Sequence, residues 1–347
     1  MVVFGAPSSS AALYTFHRAP GALAWEQEEK VPAPLLNVVG AGDAYKVYMD
    51  DEVTSVFIAG CTCSYGGFSN NGRLLVYSRD ADTETTTLVQ ELQGSGQQNS
   101  RFFSRSADLW NGTRIVVAST VGTYFFHHDD GGGTWVEQQV ASGVPADSVS
   151  LYGDWAVAAT GDGTGGTATV FRWDGATWNV TQTLTFTGSF FNPHAWLRLD
   201  VLVVGSGSNP SVNSGQSLTF RLDAGVVWVP AAVLQRPSPA AGDREAARNA
   251  LTYSPGYNAV YAATAPGYGG GNEGAVFVYR RANETWTPTN ALAPLQAPTP
   301  TGGSNFGDFG TALSSVAGEF LAVGHRVGGF ATPGAVTLWQ CTDAQFD

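Results

Sequence analysis

Positive charge is the scarcest resource in this sequence. Lys30 and Lys46 are its only lysines, and 17 basic residues face 29 acidic ones for a formal charge of −12. A phosphate-binding face needs clustered Lys and Arg, so nucleic acid is excluded as an expected partner. Charge of either sign is thin, at 13% of residues, so Ser, Thr, Asn and 43 glycines must carry much of the solvation. That balance suits an extracellular protein or one displayed on a cell or particle surface. No run of eighteen apolar residues occurs, so no membrane span is expected. Met1 leads straight into a β-type hexapeptide, without the basic and apolar regions of a secretory signal.

Cysteine is equally sparse. Cys61, Cys63 and Cys341 are an odd set, which leaves one thiol free or paired between chains. Two ligands in Cys-x-Cys without nearby histidines make a poor metal site, so no metal is expected. One disulfide to Cys341, or small buried residues, is the alternative. Long helical periodicity is also missing. "GDREAARNAL" (Gly242 to Leu251) is the best helix candidate, and it is short.

What remains is strand and turn. With 43% apolar residues the chain can build a core, and runs rich in Val, Phe, Tyr and Thr alternate with Gly, Asn, Asp and Ser clusters. One phrase recurs seven times. A hydrophobic strand closes on a small residue at Gly5, Gly60, Ala118, Ala159, Gly205, Thr264 and Gly324, at spacings of 41 to 60 residues. A second strand follows each anchor, from "ALYTF" to "AVTLW". Then come a turn and, in five units, a tryptophan: Trp25, Trp135, Trp178, Trp228 and Trp286. These stand 17 to 23 residues beyond their anchors, an offset far steadier than the unit length. The second unit has Thr87-Leu88-Val89 at that place instead.

Each full unit therefore reads as four strands, and seven such units fit an all-β propeller of four-stranded antiparallel blades. The expected units are 1-38, 39-95, 96-142, 143-185, 186-236, 237-296 and 297-347, within one domain. Small residues at Gly5, Gly60, Gly205 and Gly324 would let neighbouring blades approach closely. The first unit lacks its first strand and the last lacks its fourth. The chain is thus expected either to be a fragment or to complete its edge blades with copies of itself, by strand addition.

"NFGDFGTALSSVAGEFLAVGHRVGGFATPGAVTLWQ" (Asn305 to Gln340) resembles an FG-GAP repeat, the unit of integrin-α-type propellers. Phe309-Gly310 matches the Phe-Gly, Gly5-Ala6-Pro7 the Gly-Ala-Pro, and "GAVFVYRR" (Gly274 to Arg281) the third strand. The resemblance implies a propeller used mainly for binding. Many family members carry a calcium loop of alternating carboxylates. Here "VAGEF", "LYGDW" and "LWNGT" offer one carboxylate at most, too few for six oxygen ligands.

The sharpest local match is "DDGGGTW". Asp130, Gly132, Thr134 and Trp135 fit the Asp-box of sialidase-like propellers, where Asp caps a hairpin, Gly takes the positive φ and Trp packs beneath. "DGATW" (Asp174 to Trp178) is a shorter variant. The box is expected to be structural, and no arginine triad or catalytic tyrosine motif accompanies it. His127 and His128 are adjacent on a strand and point to opposite faces, which makes joint ligation of a metal difficult. His194 and His325 stand alone. No nucleophile elbow, zinc-protease motif or phosphate loop is present.

Three sequons occur, at Asn111, Asn179 and Asn283, with Asn111 and Asn283 in expected turns. The expectation is a non-enzymatic, extracellular adhesion or structural module, such as a filament subunit assembled by strand addition, without cofactor. Its expected partners are other proteins, copies of itself among them, with glycans as a further class. The alternative is a carbohydrate-binding or carbohydrate-active propeller, sialidase-like, with its site at the central channel.

Overall fold

A computed structural model describes residues 2–6, 12–17, 26–32, 46–49, 56–61, 69–80, 82–96, 101–129, 131–188, 190, 192–205, 215–235, 249–254, 257–265, 275–282, 284–288, 312–316, 320–325 and 335–340. Among the described residues, twenty-six strands form seven antiparallel sheets, each strand beside its neighbour in sequence. The first sheet holds β1 (Val2–Ala6), β2 (Ala12–His17) and β3 (Glu26–Pro32). The second holds β4 (Lys46–Met49), β5 (Val56–Cys61), β6 (Arg73–Arg79) and β7 (Thr86–Leu92). The third runs through β8 (Ala107–Trp110), β9 (Arg114–Ala118), β10 (Gly122–Asp129) and β11 (Thr134–Ser142).

The fourth sheet has β12 (Ser148–Tyr152), β13 (Trp155–Gly161), β14 (Gly165–Trp173) and β15 (Trp178–Thr187). The fifth has β16 (His194–Arg198), β17 (Val201–Gly205), β18 (Ser217–Asp223) and β19 (Val227–Leu234). The sixth has β20 (Asn249–Ser254), β21 (Tyr257–Ala265), β22 (Ala275–Ala282) and β23 (Thr285–Pro288). The seventh has β24 (Ala312–Val316), β25 (Phe320–His325) and β26 (Ala335–Gln340). The last three residues of the expected helix, Asn249 to Leu251, are strand, where tertiary pairing overrides a short helical pattern. The rest of that stretch lies outside the described residues.

Second strands are buried along their middles: "VLVVG" in β17 and "FIAGC" in β5 are buried residue after residue, with apolar neighbours on both sides. Fourth strands such as β15 keep every second or third side chain in water, which marks them as outer edges. The chain divides into two compact units, one of Met1–Ala158 with Arg172–Asn179 and one of Ala159–Phe171 with Val180–Asp347.

In the first unit, Ile58, Leu74 and Val76 of the second sheet pack on Ile115, Tyr124 and Trp135 of the third. In the second unit, Val201 and Val203 of the fifth sheet meet Leu251, Tyr261 and Phe277 of the sixth. Each such side chain contributes about 1.5–3 kcal/mol of burial.

One irregularity repeats. The pairing of third and fourth strands slips by one residue between Thr15/Phe16, Val76/Tyr77, Phe125/Phe126 and Thr219/Phe220. Past these bulges stand Glu29, Gln90, Gln139 and Ala232, each four residues beyond the place where the tryptophan begins its strand. Gln90 Nε2 donates to Trp135 O at 2.8 Å, and its Oε1 accepts Trp135 N–H at 2.7 Å. Gln139 grips Trp178 identically, at 2.7 and 2.8 Å, and Gln182 grips Trp228 at 2.8 Å both ways. In the first sheet Glu29 accepts the N–H of Thr86, the residue with the tryptophan's backbone role in the second sheet.

Candidate functional site

The turns joining first to second and third to fourth strands lie at one end of the third and fourth sheets. Trp110-Asn111-Gly112-Thr113 is a turn closed by Thr113 N–H to Trp110 O at 3.1 Å, within the three-residue hairpin loop between the paired Trp110 and Arg114. Asn111 and Gly112 both take positive φ, 50° and 59°, as the primed turns of hairpins require. The turn delivers Arg114 to the start of β9 opposite Trp110. In the fourth sheet, Gly153 at φ 59° turns the chain so that Asp154 faces Arg114.

The Arg114 guanidinium sits 5.5 Å from the Trp110 ring centre, 5.3 Å from Trp173 and 6.0 Å from Trp178. Its Nη1 donates to Asp154 Oδ1 at 2.9 Å and to Gly153 O at 3.1 Å. Tyr152 meets Trp110 edge-on at 6.5 Å, and Arg172 lies 5.2 Å over Trp155. Cations over indole faces are attracted by the ring quadrupole, by about 0.5–2 kcal/mol each. Trp178 is buried and stacks on Phe125 at 4.9 Å, so it anchors the group. Trp110, Tyr152, Trp155 and Trp173 are half-buried, while Asp154, Arg172 and Asp174 are exposed. Beside them Asp174 caps its turn: Oδ1 accepts Thr177 and Ala176 N–H at 2.8 Å, which holds the carboxyl down at about 2.

Chemically, the arrangement offers flat apolar faces rimmed by donors and acceptors. Arg114 Nη2 and Asp154 Oδ2 have no protein partner among the described residues. No group of His, Cys, Asp and Glu able to hold a metal is found among the described residues. His127 faces Arg114 across the β9–β10 ladder, and His128 packs on Trp135 at 5.4 Å.

The sequence-derived residues fall as follows. In the "DDGGGTW" turn Asp129 is a cap among the described residues. Asp129 Oδ1 accepts Gly131 N–H at 3.1 Å, and its carbonyl accepts Gly132 and Gly133 N–H. Asp130 lies outside the described residues. Positive φ belongs to Gly133 (65°), not Gly132, because the extra glycine shifts the turn by one residue. Thr134 opens β11 in solvent, and Trp135 is buried beneath.

Gly5 lies in β1, Gly205 in β17 and Gly324 in β25. A Cβ on Gly60 would come within 2.9 Å of Ser104, whose hydroxyl donates to Cys61 O and Arg73 O. Trp228 is buried and Trp286 half-buried; Trp25, Asn283, Phe309 and Gly310 lie outside the described residues. Cys61 is disulfide-bonded, while Cys63 and Cys341 lie outside the described residues. The sequence reading missed Arg114 and the glutamines. Both had a signal, in "LWNGTR" facing "LYGDW", and in a Gln four places past each of two tryptophans.

No protein-family model and no curated protein matches the chain. Solved structures do. U3-55K superposes with a TM-score of 0.58 over 98% of this chain and 88% of its own, at 13% identity. A Bacteroides fragilis protein assigned as a 6-phosphogluconolactonase superposes at 0.51 over 91% and 86%, also at 13% identity. With seven small antiparallel sheets in sequence order, these likenesses decide the fold. The chain is a β-propeller. Its four-stranded sheets are blades, and among the described residues its first and last sheets have three strands each. The expectation of an adhesion or filament subunit is overturned: a propeller of this shape is assigned as an enzyme, and nothing among the described residues supports an adhesive or filament-forming role.

Proposed function

We propose that this propeller recognises carbohydrate, through the aromatic and arginine surface at the turn end of its third and fourth blades. One observation carries the reading: Arg114 is fixed 5.3–5.5 Å over the half-buried Trp110 and Trp173 rings, with Asp154 at 2.9 Å. A pyranose ring offers an apolar C–H face to an indole and hydroxyls to the flanking guanidinium and carboxylate. Arg114 Nη1 and Asp154 Oδ1 hold each other, which leaves Nη2 and Oδ2 to meet sugar hydroxyls. The Cys61 disulfide and the low charge favour an oxidising, extracellular or surface setting. The repeat is read as one of the FG-GAP kind, with no calcium loop.

The test is a glycan array probed with unglycosylated protein, followed by tryptophan-fluorescence titration of each sugar that binds. Trp173→Ala should weaken binding roughly tenfold, the loss of about 1.4 kcal/mol of ring contact. Trp173→Phe should restore most of it. An array without hits, or a Trp173→Ala protein that binds as tightly as the parent, overturns the reading.

A further inference from the structure

We propose that Asn111 carries an N-linked glycan whose first sugar rests on the Trp110 indole and covers the surface assigned above to carbohydrate. The covering half rests on that assignment; the attachment half does not.

The sequons differ in what their amides are doing. Asn179 Nδ2 is engaged, donating to Asp174 Oδ2 at 2.8 Å and to Thr177 Oγ1 at 3.2 Å. Its sequon hydroxyl, Thr181 Oγ1, donates to Val170 O at 3.3 Å. A glycan there would crowd the contacts that Asn179 Nδ2 makes beside the capped turn. Asn283 lies outside the described residues. Asn111 is exposed at the tip of a hairpin, and its side-chain amide makes no hydrogen bond among the described residues. The disulfide at Cys61 favours passage through the compartment where such glycans are attached.

Turn geometry brings sugar and ring together. Adjacent residues on a strand point to opposite faces. Asn111 is left-handed, φ 50°, which breaks that alternation in the residue directly after Trp110, the last residue of its strand. Gly112, at φ 59°, supplies the second left-handed position at little steric cost. In the attachment step, Asn111 Nδ2 bonds to the anomeric carbon of a lipid-diphosphate-linked oligosaccharide. The carbon–oxygen bond to the diphosphate breaks, the lipid diphosphate leaves with the electron pair, and the amide proton is released.

The experiment compares the full chain secreted from a eukaryotic cell with the same chain made without glycosylation. Peptide mass spectrometry after enzymatic deglycosylation in heavy-oxygen water should find Asn111 converted to labelled Asp. Thr113→Ala, which removes the sequon while keeping Asn111 in its turn, should lose that glycan. It should lower Tm by about 2–4 °C in the secreted protein, and leave Tm unchanged in the unglycosylated one. Trp110→Ala should abolish the difference in Tm between the two preparations. Sugars found on the array should bind the secreted parent roughly tenfold more weakly than secreted Thr113→Ala. An unmodified Asn111 in the secreted chain, or a glycan that changes neither Tm nor binding, overturns the inference. If the unglycosylated protein binds no sugar while the Trp110-dependent gain in Tm persists, the recognition reading falls and the packed glycan stands.

Discussion

Consecutive blades of this propeller are joined in two ways. From the second blade to the fifth, a glutamine on the outer strand grips the backbone of the next blade's tryptophan through both N–H and C=O. Between the fifth and sixth, the clamp position is Ala232. There the join is internal. Ser217 Oγ and Tyr261 OH share a hydrogen bond, and Asn249 Nδ2 donates to that same hydroxyl at 3.2 Å and to His194 O at 3.3 Å. Arg281 adds an ion pair to Asp200 at 2.9 Å. An outer-strand clamp competes with water at a half-exposed edge, whereas a buried polar network stands or falls as a whole. The same task is therefore done cheaply in one region and at higher stake in the other.

The largest test sets two buried tyrosines against each other. Tyr261→Phe should cost about 1–2 kcal/mol in urea unfolding, because buried Ser217 loses its partner and Asn249 Nδ2 keeps only His194 O. The Tyr77 hydroxyl is buried with no hydrogen-bond partner among the described residues, and burial pushes its pKa up to about 12 against a lowering by Arg73. Tyr77→Phe should accordingly be neutral or stabilising by about 1 kcal/mol. The parent should also lose stability as pH rises from 10 through 12, since the folded state holds that proton more tightly. Tyr77→Phe should lose less over the same range. Equal losses in the two variants at neutral pH would remove the distinction.

The intermediate test moves a clamp. Gln139→Ala should cost about 1–2 kcal/mol by stranding Trp178 N–H and C=O. Ala232→Gln should add about 0.5–1 kcal/mol if the bulge presents residue 232 to Trp286 as residue 139 is presented to Trp178. A destabilised Ala232→Gln would show that the fifth blade's outer strand is set differently.

The smallest effect is expected at the capped turn of Asp174, which is fully exposed. Its carboxyl is depressed from 3.8 to about 2, so its contribution is complete above pH 4 and lost as pH falls through 2. Asp174→Ala should flatten the acid limb of the stability profile. An unchanged acid limb would mean that the cap is dispensable.

The strand pattern was legible because its causes are local. Runs such as "VLVVG" need burial on both faces, and Gly or Asn clusters need turns, so blade count and even the three-stranded end sheets could be read directly. The recurring tryptophan was legible by its offset. Its partner was not, because a bulge hides the relation: Trp135 and Gln139 are an even number of residues apart yet serve opposite neighbours. The candidate site was hidden for another reason. Arg114 and Asp154 are 40 residues apart, and each alone is an ordinary turn residue. Only the stacking of two blades makes them one surface. The register of the "DDGGGTW" turn was finer still, since a third glycine puts the positive φ on Gly133 and not on Gly132.

The repeated bulge also gives the array a direction. It lets a single outer strand hold its tryptophan toward the blade before and its glutamine toward the blade after. Each such blade is thus both key and lock, with the two functions on opposite sides. A joint of that kind is indifferent to how many copies precede it. Between such blades the same side chain and the same two backbone groups serve three successive seams, so one local rule of spacing sets the order of four blades.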